Sequence, residues 1–115
     1  MLCSHAAQAD TSHAYQSAVG DDGPLAYYRF SETTTPTPDV ASNSGSLGSA
    51  GNGVYTIGVK HDAAGAVVGD SDTAATFSAV DTNSDDGGVP VIVPFNAALN
   101  PAGSFSVEAW LRPTF

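Results

Sequence analysis

Between Ser104 and Arg112 the chain alternates without a break, with Phe105, Val107, Ala109 and Leu111 on one parity and Ser106, Glu108, Trp110 and Arg112 on the other. A period of two places the two sets on opposite faces of a pleated strand. No stretch of the 115 residues sustains the i, i+3, i+4 apolar repeat by which a helix buries one face. The remaining apolar runs are short, β-branched or aromatic, and are cut by Gly, Pro, Asn, Asp and Ser. Short strands joined by many turns are the expected outcome, and the class is all-β.

The other strands follow from the same pattern. Leu25 to Phe30 is aromatic-rich and free of Gly and Pro, and reads as the first strand. Val54 to Val59 reads as the second and Asp72 to Val80 as the third, with Ala75, Phe77 and Ala79 on one face. Val89 to Pro94 reads as a short strand whose prolines place it at an edge or confine them to its ends. Thr33 to Pro38, Ala41 to Gly53 and Asp81 to Gly88 read as loops or turns. Before them, Tyr15, Ala18 and Val19 suit one short helical turn, which Asp21-Asp22-Gly23-Pro24 stops.

A chain of this length makes one domain or part of one. Its formal charge of −9 leaves Arg29, Lys60 and Arg112 as the whole of its Lys and Arg. Phosphate recognition needs clustered cations, so nucleic acid is excluded as an expected partner, and anionic membranes are disfavoured for the same reason. No run approaches the roughly 20 apolar residues of a membrane span. Cys3 stands alone and forms no internal disulfide. Residues 1–14 are expected to be a disordered leader or the remnant of a signal peptide, because Ala7-Gln8-Ala9 has the small-x-small form of a cleavage site while the basic and apolar segments before it are missing.

Four segments in order carry a resemblance. Tyr15-Gln-Ser-Ala-Val19, Asp22-Gly-Pro-Leu-Ala-Tyr-Tyr-Arg-Phe-Ser-Glu32, Gly69-Asp-Ser-Asp-Thr-Ala-Ala-Thr-Phe77 and Gly103-Ser-Phe-Ser-Val-Glu-Ala-Trp-Leu-Arg-Pro113 resemble the laminin-G-like, concanavalin A-like jelly-roll modules of bacterial extracellular proteins. The resemblance implies an antiparallel jelly-roll sandwich over residues 15–115, and a location outside the cell or on its surface. Because modules of this kind continue for several strands beyond the last segment, it also implies an N-terminal part of a module, incomplete at its C-terminus, within a longer parent chain that has neighbouring domains.

Strand parity supplies the candidate ligand residues. With Phe105, Val107, Ala109 and Leu111 between the sheets, Glu108, Trp110 and Arg112 project outward. In the first strand Ala26, Tyr28 and Phe30 would be core, with Tyr27 and Arg29 outward. Aromatic rings beside charged hydrogen-bonding groups stack on and grip sugars or other proteins. The alternative is a packed outer layer in which Arg29 pairs with Glu108 across strands. Asp81, Asn83, Asp85 and Asp86 offer oxygen ligands at nearly alternate positions, so calcium is the expected ion if this run is more than a solvated turn. It lacks the EF-hand Gly and Glu, whose places are taken by Asp86 and Ile92.

Catalysis is not expected. His5, His13 and His61 fall in the leader or in a Gly/Ala-rich loop, away from a rigid strand. Glu32 and Glu108 lack the acidic same-face neighbours by which sandwich glycosidases line their clefts, the neighbours of Glu108 being Ser106 and Trp110. The expected function is a non-catalytic binding module, for carbohydrate with calcium assistance or, alternatively, a protein-adhesion or spacer module of a large surface protein; a piece of a polysaccharide hydrolase ranks behind both.

Overall fold

The computed structural model describes residues 13–33, 39–56, 58–77 and 91–113. Helix α1, Ala14–Asp21, has neither a side-chain cap nor an acidic residue in its first turn, so it gains little from its own N-terminus. Its end is better specified: Gly23 takes φ of +64° and donates to the Gly20 carbonyl, Asp22 donates to that of Ala18, and Pro24 follows.

Five short strands follow among the described residues: β1 (Val40–Ala41), β2 (Gly53–Tyr55), β3 (Lys60–Ala64), β4 (Thr73–Thr76) and β5 (Val91–Ile92). They form two antiparallel sheets, one ordered β1-β2-β5 and one β3-β4. Val54 sits opposite Val40 on one side and Ile92 on the other. The chain therefore builds the β3-β4 pair before β5 returns to β2. Gly53 makes room for this return, since a Cβ there would stand 2.5 Å from Val91 Cγ1. The protein is a small β-rich chain with one α-helix among its described residues.

Aromatic rings join the two sheets. Phe30 stacks on Tyr28 and meets Tyr55 of β2 and Phe77, just past β4, edge-on at 6.1 and 5.6 Å. His61 of β3 meets Tyr55 edge-on at 4.6 Å. Among the described residues only Ala41 and Tyr55 are buried apolar side chains, so this cluster is most of the core.

Several expectations are corrected. Leu25 to Phe30 is not a strand: apart from an isolated Tyr28–Asn43 bridge, its carbonyls bond the following loop, Tyr27 to the Ser44 amide and Leu25 to the Leu47 amide. Phe30 has φ of +56°, which turns the backbone out of any ladder and also breaks the expected parity, leaving residues 26–30 all half-buried. The expected loop over 41–53 contains the end of β1, a 3-10 turn at Gly48–Gly51 and the start of β2. His61 lies on β3 rather than in a loop. The second, third and fourth expected strands contain, among the described residues, β2 from Val54 on, β4 and β5, with Gly58 at φ of +101° turning the chain soon after β2.

The clearest departure is the segment with the cleanest alternation. Ser104 to Arg112 pairs with no strand among the described residues, and both of its parities are exposed: Phe105 by 72%, Leu111 by 85% and Trp110 by 64%. A period of two specifies a face but supplies no partner for it. Unpaired apolar side chains of this size bind hydrophobic dyes. The 115-residue chain is expected to enhance the fluorescence of such a dye under native conditions. Replacing Val107 and Leu111 by Lys should remove most of that signal without altering far-ultraviolet circular dichroism; an unchanged signal would place the dye elsewhere.

Candidate functional site

The residues singled out near the C-terminus meet the helix. Trp110 donates its indole N–H to the Tyr15 hydroxyl at 2.7 Å, and Tyr15 donates in turn to Glu108 Oε1, also at 2.7 Å. The two rings meet edge-on with centroids 5.9 Å apart. Tyr15 lies on the first turn of α1, and its hydroxyl titrates above the usual tyrosine value, chiefly because it donates to the Glu108 carboxylate. Tyr15 therefore stays protonated and orients both partners, fixing an exposed indole and a carboxylate side by side. Among the described residues Glu108 Oε2 accepts no hydrogen bond.

Tyr27 and Arg29 complete the surroundings in a different way from that expected. Arg29 is ion-paired with Asp72, not with Glu108, and is half-buried rather than outward. Tyr27 gives its backbone N–H to Asn43 Oδ1. Its phenol titrates above the usual value, first through burial and then against the lowering influence of Arg29, with Asp72, Asp70 and Glu108 adding to the rise. These charges thus lie within electrostatic reach of one phenol. Arg112 is exposed and makes no ion pair among the described residues.

Asp70, Asp72 and His13 bring one ligand atom each to within 4.8 Å of the others. The arrangement is engaged from within: Asp70 Oδ1 accepts the Asp72 amide at 2.9 Å, His13 Nδ1 stands 4.0 Å from the same oxygen, and the Arg29 guanidinium sits on Asp72. A cation would have to compete with that guanidinium. The calcium run Asp81, Asn83, Asp85 and Asp86 lies outside the described residues, as does the leader over residues 1–12.

A second polar cluster is internal. His61 Nε2 faces Asp39 Oδ2 at 3.2 Å, while His61 Nδ1 and Asp39 Oδ1 are buried without a hydrogen-bond partner. Beside them Tyr55 donates to Glu32 Oε2 at 2.7 Å, and the Ser42 amide donates to Glu32 Oε1. Burial would raise the Glu32 carboxyl, but these hydrogen bonds outweigh it and hold the group below the usual range. Burial and the Glu32 hydrogen bond push Tyr55 far upward. Glu32 and Glu108 thus belong to separate clusters with no shared hydrogen-bond partner.

Sequence reasoning singled out Tyr27, Arg29, Glu108, Trp110 and Arg112 but not Tyr15, which joins Glu108 to Trp110 and lies 93 and 95 residues from these two partners. No local pattern signals a contact at that separation. No family model matches the chain, and neither a curated protein nor a solved structure does.

Proposed function

We propose that the chain is a non-catalytic extracellular binding module that grips carbohydrate on the Tyr15–Glu108–Trp110 platform, within a laminin-G-like jelly-roll fold. The observation that supports this reading is the fixed yet exposed indole. Trp110 is anchored through its N–H to Tyr15 and still 64% exposed, so its ring is available for stacking with little entropy left to lose. A sugar ring offers apolar C–H faces for such stacking and hydroxyls for the neighbouring carboxylate. The jelly-roll assignment rests on the four resembling segments, and calcium assistance rests on the sequence of the Asp81 to Asp86 run.

Trp110→Ala is expected to lower glycan affinity by roughly tenfold or more, the scale of an aromatic binding hot spot, while leaving the melting transition in place. Binding of the parent chain and the variant to a glycan array measures this. Array binding unaffected by the substitution would remove Trp110 from the role. The second reading, a protein-adhesion or spacer module, draws support from exposed Phe105, Val107 and Leu111. It would be favoured by a parent chain that binds no glycan at all.

A further inference from the structure

We propose that the Tyr15–Glu108–Trp110 platform takes a sugar bearing a free amine, a deacetylated amino sugar, in preference to neutral, N-acetylated or uronic-acid glycans. This inference rests on the carbohydrate reading above and narrows it.

Three observations carry it. The first is the pairing of an exposed indole with a carboxylate held beside it by a shared hydroxyl, Trp110 to Tyr15 to Glu108. An ammonium group is attracted to an aromatic face, most strongly to that of Trp, and a carboxylate at the same site adds a charge-assisted hydrogen bond. The second is that Tyr15 occupies only Oε1 of Glu108, leaving Oε2 without a hydrogen bond among the described residues. A neutral hydroxyl could use that oxygen, but an ammonium donor makes roughly twice as strong a bond there.

The third is the sign of the surroundings. Three carboxylates, Asp70, Asp72 and Glu108, act on the nearby Tyr27 phenol against one guanidinium, Arg29, which Asp72 already engages. A uronate would enter against this excess and against a chain carrying a net charge of −9. Arg112 is the cation that the platform's own segment offers an anionic sugar, and it is exposed, where a single ion pair contributes little.

The test uses the 115-residue chain with three oligosaccharide probes matched in length: glucosamine, N-acetylglucosamine and galacturonate oligomers. Affinity is measured by calorimetry at a pH that keeps the amine protonated. The glucosamine oligomer is expected to bind about tenfold more tightly than the N-acetylated one, with the advantage shrinking in high salt, and the galacturonate oligomer should not bind. Glu108→Gln should abolish the advantage while keeping residual binding to the N-acetylated probe, whereas Trp110→Ala should weaken both. Asp22→Asn, an equal change in net charge at an exposed helix-end position, should leave the advantage intact.

Equal affinity for the free and acetylated amines would overturn the inference and leave the carbohydrate platform standing. Loss of the advantage in Asp22→Asn as well as Glu108→Gln would attribute it to overall acidity and overturn the site. Equally tight binding of a lysine oligomer would overturn the sugar as the source of the ammonium. Absence of binding to every sugar probe would remove the platform reading itself.

Discussion

Tyr55→Ala is expected to cost about 3–5 kcal/mol, the range for deleting a well-buried aromatic side chain, and so to bring the chain close to its unfolding midpoint at room temperature. Tyr55 is 5% exposed and touches Phe30 from one side and His61 from the other. Its ring is thus shared by both sheets, and few other buried apolar side chains could compensate for its loss. Total stability is on the order of 5–15 kcal/mol for a domain of this kind, and a core this thin places the chain near the lower end. Urea denaturation followed by circular dichroism measures the loss.

Tyr55→Phe separates the ring from its hydroxyl. It keeps the packing but removes the hydrogen bond to Glu32, leaving that half-buried carboxylate with the Ser42 amide. The expected cost is about 1.5–3 kcal/mol at neutral pH, as for a hydrogen bond to a charged group. The sign of the pH dependence follows from Glu32. Its folded-state value lies below the ordinary one of about 4.3, so its contribution is fully present above that pH. It is lost as pH falls through the lower folded value. Removing the hydroxyl lets burial raise the folded value again, and the acid-induced loss of stability attributable to Glu32 should shrink in Tyr55→Phe. An acid profile unchanged between parent and variant would show that Glu32 does not depend on this bond.

Asn43→Ala is expected to cost about 2–4 kcal/mol, because it strands backbone groups that only this side chain satisfies. Asn43 Oδ1 accepts from the Tyr27 and Gly45 amides at 2.8 and 2.9 Å, and Nδ2 donates to the Gly48 carbonyl at 3.0 Å. The surrounding loop is closed too tightly to offer substitutes: a Cβ on Gly45 would meet the Leu25 carbonyl oxygen at 2.5 Å. Amide exchange at Tyr27 and Gly45 should lose protection before the ladder amides of β2 do. Retention of protection at both amides would show that water replaces the side chain at no cost.

These same residues explain how far the fold was legible. The β-rich character, a helical turn within Ala14–Asp21 and the cores of β2, β4 and β5 follow from local composition. β3 does not, because Lys60-His-Asp-Ala-Ala64 has poor strand propensity and becomes a strand by pairing with β4. Leu25 to Phe30 has the propensity but spends its hydrogen bonds on the Asn43 loop, whose partners lie 16 residues away. At the candidate site, residue type and parity pointed to Glu108 and Trp110. Their union with Tyr15, and the diversion of Arg29 to Asp72 43 residues on, are products of tertiary packing.

The irregularity in β3 bears on how this chain meets other chains. Between Lys60 and Ala63 the register shifts, and Asp62 takes φ of +63°, a left-handed conformation that Asp tolerates better than most residues. The bulge and its flanking charges deny an incoming strand a regular row of amides and carbonyls, and β1 and β5 are only two residues long. These three edges, β1, β3 and β5, are therefore poor templates for strand addition. Residues 104–111 have no such protection: they alternate cleanly and lack a partner among the described residues. Fibrillar or domain-swapped association of this chain would accordingly be seeded there, with the folded sheets as bystanders.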